Sequence, residues 1–130
     1  MSQNLIEKTF LNPVESYWIA STPETNYPKM QDNIKTDILV VGGGIAGITT
    51  AYLLQQEGLD VVIIDTNIIA AATSAHTTAK ITSLHDIKYS KLIKSIGEEG
   101  AHLYGKANEN AIALIEKIIS ENGIQCDFSR

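Results

Sequence analysis

The sequence predicts an α/β fold built on one βαβ unit, and three observations between residues 37 and 65 carry that reading. Asp37-Ile38-Leu39-Val40-Val41 is apolar on every residue after the first, as suits a parallel strand covered on both faces. Gly42-Gly43-Gly44-Ile45-Ala46-Gly47 puts glycines in the G-x-G-x-x-G places. A second apolar run, Val61-Val62-Ile63-Ile64, ends in Asp65, 23 residues after Gly42. Strand, tight turn, helix, strand and acid, in that order, are the phosphate-binding unit of a Rossmann-like dinucleotide fold. A right-handed crossover is expected.

The elements follow from composition. Residues 1–36 hold all three prolines, Pro13, Pro23 and Pro28, so they read as an arm rather than a long helix or central strand. Within the arm, Ser16-Tyr17-Trp18-Ile19-Ala20 is an aromatic patch that packs it on the domain or contributes to a substrate or partner site. Thr22-Pro23-Glu24 and Tyr27-Pro28 read as turns or extended segments. After the glycines, Ile45, Ile48, Thr49, Tyr52, Leu53 and Leu54 fall near helical spacing, and Gly58 fits a C-terminal stop. Residues 66–83 are small and hydroxylated, with Ala70-Ala71-Ala72, Thr73-Ser74 and Thr77-Thr78-Ala79-Lys80. They read as a loop with a short helical start near Ser74 or Thr77.

From Asp86 the pattern turns helical. Ile87, Leu92, Ile93 and Ile96 line a short helix ending near Gly97. Leu103, Tyr104, Ala107, Ala111, Leu114, Ile115, Ile118 and Ile119 line a longer one over 98–122, stopped by Asn122-Gly123. Residues 124–128 are expected to begin a strand. The chain thus divides into an arm (1–36), a nucleotide-binding unit with its following loop (37–85) and a helical segment (86–130).

Composition excludes several classes. The net charge of −5 over 130 residues, without basic clusters, disfavours a nucleic-acid partner. One cysteine, Cys126, makes no internal disulfide, which fits a reducing compartment. No secretory leader and no transmembrane segment are evident, so a cytoplasmic location is expected. His76, His85 and His102 are scattered and form no metal constellation. Lys106, Glu109, Glu116, Lys117 and Glu121 read as a solvated helix face with i,i+4 pairs.

The chemistry lies in the glycines and the acid. Gly42 permits the sharp turn out of the strand, Gly44 lets a pyrophosphate approach the backbone, and Gly47 lets helix and strand pack closely. Unpaired N–H groups at the helix start, from about Gly44 to Gly47, and the positive end of the helix dipole favour phosphate. Asp65 is placed to accept from ribose hydroxyls, which disfavours the 2′-phosphate of NADP.

Beyond this generic unit, residues 38–54 resemble the first strand, turn and helix of the FAD-dependent amino-acid-oxidase superfamily, which includes the D-amino-acid and glycine oxidases. Thr73-Ser74 and Thr77-Thr78-Ala79-Lys80-Ile81-Thr82-Ser83 resemble its second flavin-contacting loop. The arm Ser16-Tyr17-Trp18, Thr77-Thr78-Ala79-Lys80, and the helix with Tyr104, Ala107-Asn108 and Ala111-Ile112 resemble the subgroup whose longer members carry a C-terminal Rieske iron–sulfur domain. The resemblance implies FAD as cofactor. It places Ile45 and Ala46 by the pyrophosphate, Asp65 on the adenosine ribose and Thr66 beside the adenine. Thr73 and Ser74 would reach phosphate or ribose, and Thr78, Ala79 and Lys80 would approach the flavin. Read without the resemblance, Thr77 and Thr78 are equally helix-capping residues and Lys80 a solvated lysine.

The implied reaction is oxidation of an amine or amino acid by hydride transfer to the flavin, with no catalytic residue assigned on this chain. Two departures stand out. The family usually has Glu at Asp65, and glycines at Ala70, Ala71 and Ala72, where a positive φ costs alanine about 1 kcal/mol. Family members run to several hundred residues, and this sequence holds no second glycine motif, Rieske Cys/His pairs or evident substrate-binding arginine. It therefore reads as the N-terminal piece of a longer oxidoreductase, whose remaining part covers the apolar stripe of the long helix. The alternatives are a stand-alone NAD-binding module and an inactive remnant acting only through interactions.

Overall fold

Two short parallel strands and the helix between them lie in the first of two units in the computed structural model, which describes residues 15–23 and 25–129. The arm before residue 15, with Pro13, and Glu24 of the Thr22-Pro23-Glu24 turn lie outside the described residues, as does Arg130. The elements in order are α1 (Tyr17–Ser21), β1 (Ile38–Val41), α2 (Ile45–Gln56), β2 (Val61–Ile64), a 3-10 turn (Thr73–His76) and α3 (Lys88–Glu121). The chain divides into two units between Thr78 and Ala79.

In the first unit β1 and β2 pair in parallel, with Ile38 opposite Val61 and Val41 opposite Ile64. Polar groups set where the pair begins. The Asp60 carbonyl accepts from the N–H groups of Asp37 and Ile38, both at 3.1 Å. Asp60 N–H in turn donates to Asp37 Oδ2 at 3.0 Å, and the Thr36 hydroxyl donates to Asp60 O at 2.7 Å. Ile38 and Val40 are half-buried, whereas Leu39 and Val41 are exposed. The strand therefore has a covered and an open face.

Helix α2 is apolar nearly all round, and only Ala51 is fully buried within it. It ends where glycine spacing predicts. Gly58 N–H donates to Gln55 O at 2.9 Å and Leu59 N–H to Leu54 O at 3.3 Å, the paired bonds of a Schellman cap. The long helix ends the same way, with Gly123 bonding Ser120 O at 3.3 Å and Ile124 bonding Ile119 O at 3.0 Å.

In the second unit α3 is interrupted at Gly97 (φ 76°, ψ 173°), which separates 88–96 from 98–121. That is the break expected from the glycine between two apolar patterns. Ala101 is buried, and Leu114, Ile115, Ile118 and Ile119 are half-buried. On the charged face Lys117 and Glu121 pair at 3.8 Å, an exposed i,i+4 contact of small energetic weight. The strand expected over 124–128 does not form. Those residues are irregular, and Asp127 has φ 51°. A segment that alternates apolar and polar residues forms a strand only beside a partner that takes its backbone hydrogen bonds, and no described strand pairs with it.

Candidate functional site

The functional geometry is built on the turn from β1 into α2. Gly42 extends the ladder by one bond, its N–H donating to Ile64 O at 2.7 Å, and then turns with φ 105°. That angle is open to glycine and strained for other residues. Gly44 is the N-cap of α2 and offers no side chain to cap it. Ala46 and Gly47 lie in the first helical turn, whose N–H groups have no carbonyl four residues back within the helix. A Cβ on Gly47 would sit 1.9 Å from Gly42 O and 3.3 Å from Val40 Cγ1. No side chain fits there, so helix and strand approach at backbone distance.

The hydroxyl of Ser74 closes the helix start from a loop 29 residues away. Ile45 N–H donates to Ser74 Oγ at 3.0 Å. Ser74 belongs to the 3-10 turn Thr73–His76, whose Ala75 is buried. A Cβ on Gly44 would lie 3.2 Å from the same hydroxyl. The small-residue loop thus returns to the glycine turn, and Thr73 and Ser74 come with it.

Asp65 follows β2 directly, and both of its oxygens are engaged. Oδ2 accepts from Gly43 N–H at 2.7 Å and Oδ1 from Asn67 N–H at 2.9 Å. Donation from Asn67 and then from Gly43 holds the carboxyl below its ordinary pKa against a weaker opposing effect of burial, with smaller lowering contributions from the neighbouring Thr66.

Gly43, the variable position of the motif, proves as constrained as its neighbours. It is buried, its carbonyl accepts from Ala70 N–H at 2.8 Å, and a Cβ there would stand 2.3 Å from Ile69 Cδ1. Sequence reading missed Gly43 and Ile69. The available signal was the middle glycine of three in a row, together with an isoleucine just ahead of the alanines. The alanine departure is also resolved at one position. Ala70 carries φ 61°, whereas Ala71 and Ala72 are outside the left-handed region. Thr78 is exposed at the end of the first unit. Ala79, with φ 56°, and Lys80 are exposed in the second.

A family model described as FAD dependent oxidoreductase matches residues 37–130. The chain belongs to this FAD-dependent oxidoreductase family. It is 44% identical over 114 residues to YhfW of Bacillus subtilis, which carries the name of a Rieske 2Fe-2S iron-sulfur protein; the match covers 88% of this chain and 22% of YhfW. It is 26% identical over 114 residues to gamma-glutamylputrescine oxidoreductase of Escherichia coli, covering 87% of this chain and 27% of that protein. It is 24% identical over 118 residues to the oxidoreductase OrdL of Haemophilus influenzae, covering 90% and 27%. The chain thus spans about a quarter of the length of these relatives. No solved structure matches it significantly.

Proposed function

We propose that this chain binds the ADP half of FAD in a Rossmann-like βαβ unit and forms part of a flavin-dependent oxidoreductase acting on an amine or amino acid. The observation that carries the proposal is the backbone cradle at Gly42–Gly47. It combines a helix start without a side-chain cap of its own, a glycine that admits no Cβ, and an acid at the end of the next strand.

The residues fit a dinucleotide chemically. Ile45 and Ala46 would lie by the pyrophosphate, which the N–H groups of Ala46 and Gly47 at the positive end of α2 suit, while Ile45 N–H is held by Ser74 Oγ. Ser74 accepts from Ile45 N–H and keeps its own O–H free to donate to a phosphate oxygen. Asp65 accepts from Gly43 N–H at Oδ2 and from Asn67 N–H at Oδ1, and a carboxylate has about four acceptor sites. It therefore retains capacity for ribose hydroxyls. Thr66 would lie beside the adenine and Thr73 beside phosphate or ribose. Thr78, Ala79 and Lys80 would face the flavin.

FAD, when bound, supplies the hydride acceptor. The residues of this chain bind and orient it. An amine substrate accords with the name of the gamma-glutamylputrescine relative, and onward electron transfer to an iron–sulfur centre accords with the name of YhfW. The full activity would then need a longer chain. Its further part would cover the open face of β1, where Leu39 and Val41 are exposed, and the apolar stripe of α3.

The test is a thermal-shift and fluorescence titration of the 130-residue chain with FAD and, separately, NADH. FAD is expected to raise the melting temperature and NADH to leave it unchanged, because a ligand that prefers the native state stabilises it. Stabilisation by NADH alone would replace FAD with a nicotinamide nucleotide.

A further inference from the structure

The arm residues Ser16 and Trp18 have no part in the nucleotide-binding motif, yet both reach the loop that carries Ser74. Trp18 Nε1–H donates to Thr77 O at 2.8 Å. The Ser16 hydroxyl donates to Ala75 O, and its oxygen accepts from Trp18 N–H at 3.3 Å, capping α1. Tyr17 packs edge-on against Trp18, with ring centroids 5.2 Å apart. These bonds join segments 59 residues apart in the chain.

Elsewhere the loop is tied to the glycine turn through Ala70 N–H on Gly43 O and Ser74 Oγ at Ile45 N–H. Between Ile69 and Ile81 there is no large apolar side chain, so burial contributes little beyond Ala75. Ala70 holds a left-handed backbone conformation unfavourable to alanine. The carbonyls at the end of a short helical turn lack partners within the turn. Trp18 and Ser16 supply donors to the carbonyls of Thr77 and Ala75, on the C-terminal side of Ser74.

We propose that the arm is a clasp for the cofactor loop: Ser16 and Trp18 are positioning residues that hold the Thr73–His76 turn so that the Ser74 hydroxyl stays at the start of α2. The proposal rests on the FAD reading for its ligand and on the protein alone for the clasp. It ties nucleotide affinity to a segment outside the βαβ unit, and it gives the arm a role in binding rather than in burying apolar surface.

The test compares the chain with its Trp18→Phe and Ser16→Ala variants. Trp18→Phe keeps an aromatic ring and removes the N–H donor. Amide hydrogen exchange, without nucleotide, reads the clasp directly. Exchange at 73–77 and at Ile45, whose N–H donates to Ser74 Oγ, is expected to rise several-fold in both variants while 48–56 stays unchanged. Titration with FAD is expected to show about 3- to 10-fold weaker binding for each lost bond. Unchanged exchange at 73–77 overturns the clasp, and so does faster exchange with unaltered FAD affinity. If the unsubstituted chain binds no FAD, the cofactor reading fails by itself. Exchange then decides the clasp: faster at 73–77 supports it, unchanged removes it.

Discussion

The carboxylate of Asp65 reaches from the end of β2 to the N–H of Gly43, 2.7 Å away, in the middle of the glycine turn. An acid that the motif assigns to ribose is thus also a strut for the turn. Its second oxygen takes Asn67 N–H, which fixes the chain as it leaves the strand.

This double engagement sets a pH dependence. The folded pKa of Asp65 is lowered, chiefly by Asn67 and Gly43. Its contribution to stability is therefore present above the ordinary carboxylate pKa, about 3.9, and is lost as pH falls through the lowered folded value. Melting temperatures between about pH 6 and pH 2 should fall in the acid part of that range. Asp65→Asn should melt lower at neutral pH and lose part of the acid-dependent fall. A variant curve parallel to the parent throughout would remove Asp65 as the cause.

Gly47→Ala places a methyl group 1.9 Å from Gly42 O. The helix must move off the strand, at a cost of about 1–3 kcal/mol. A lower denaturant midpoint together with lost FAD binding is expected. Retention of parental stability would mean that α2 does not pack on β1 this closely.

Ser74→Ala removes the acceptor for Ile45 N–H. The expected stability loss is about 1 kcal/mol, with FAD affinity reduced by about 3- to 10-fold. Ser74→Thr keeps the hydroxyl and should recover most of the affinity. Equal affinity in the alanine variant would take Ser74 out of the binding site.

Ala70→Gly should stabilise the chain. At φ 61° alanine carries a left-handed penalty that glycine lacks, and the gain outweighs the extra entropy of the unfolded glycine by about 0.5–1 kcal/mol. Chemical denaturation reads this directly, and a destabilised variant would show that the backbone at 70 takes another path.

The βαβ order and the glycine stops were legible because their physics is local. An all-apolar run before Gly42, glycines at 58, 97 and 123, and the acid at 65 each state a backbone requirement within a few residues. The strand expected over 124–128 failed for the complementary reason. Its formation depends on a neighbour, and a local residue pattern alone supplies none.

By itself the sequence determined the α/β class, the turn at Gly42–Gly47, the placing of Asp65 after β2 and the break at Gly97. Only the tertiary structure decided that Asp65 braces Gly43, that Ser74 meets Ile45, and that Trp18 bonds Thr77. Those contacts join residues 22, 29 and 59 positions apart. Hydrogen bonds between distant segments depend on where the folded chain places each donor and acceptor, and no local spacing encodes that.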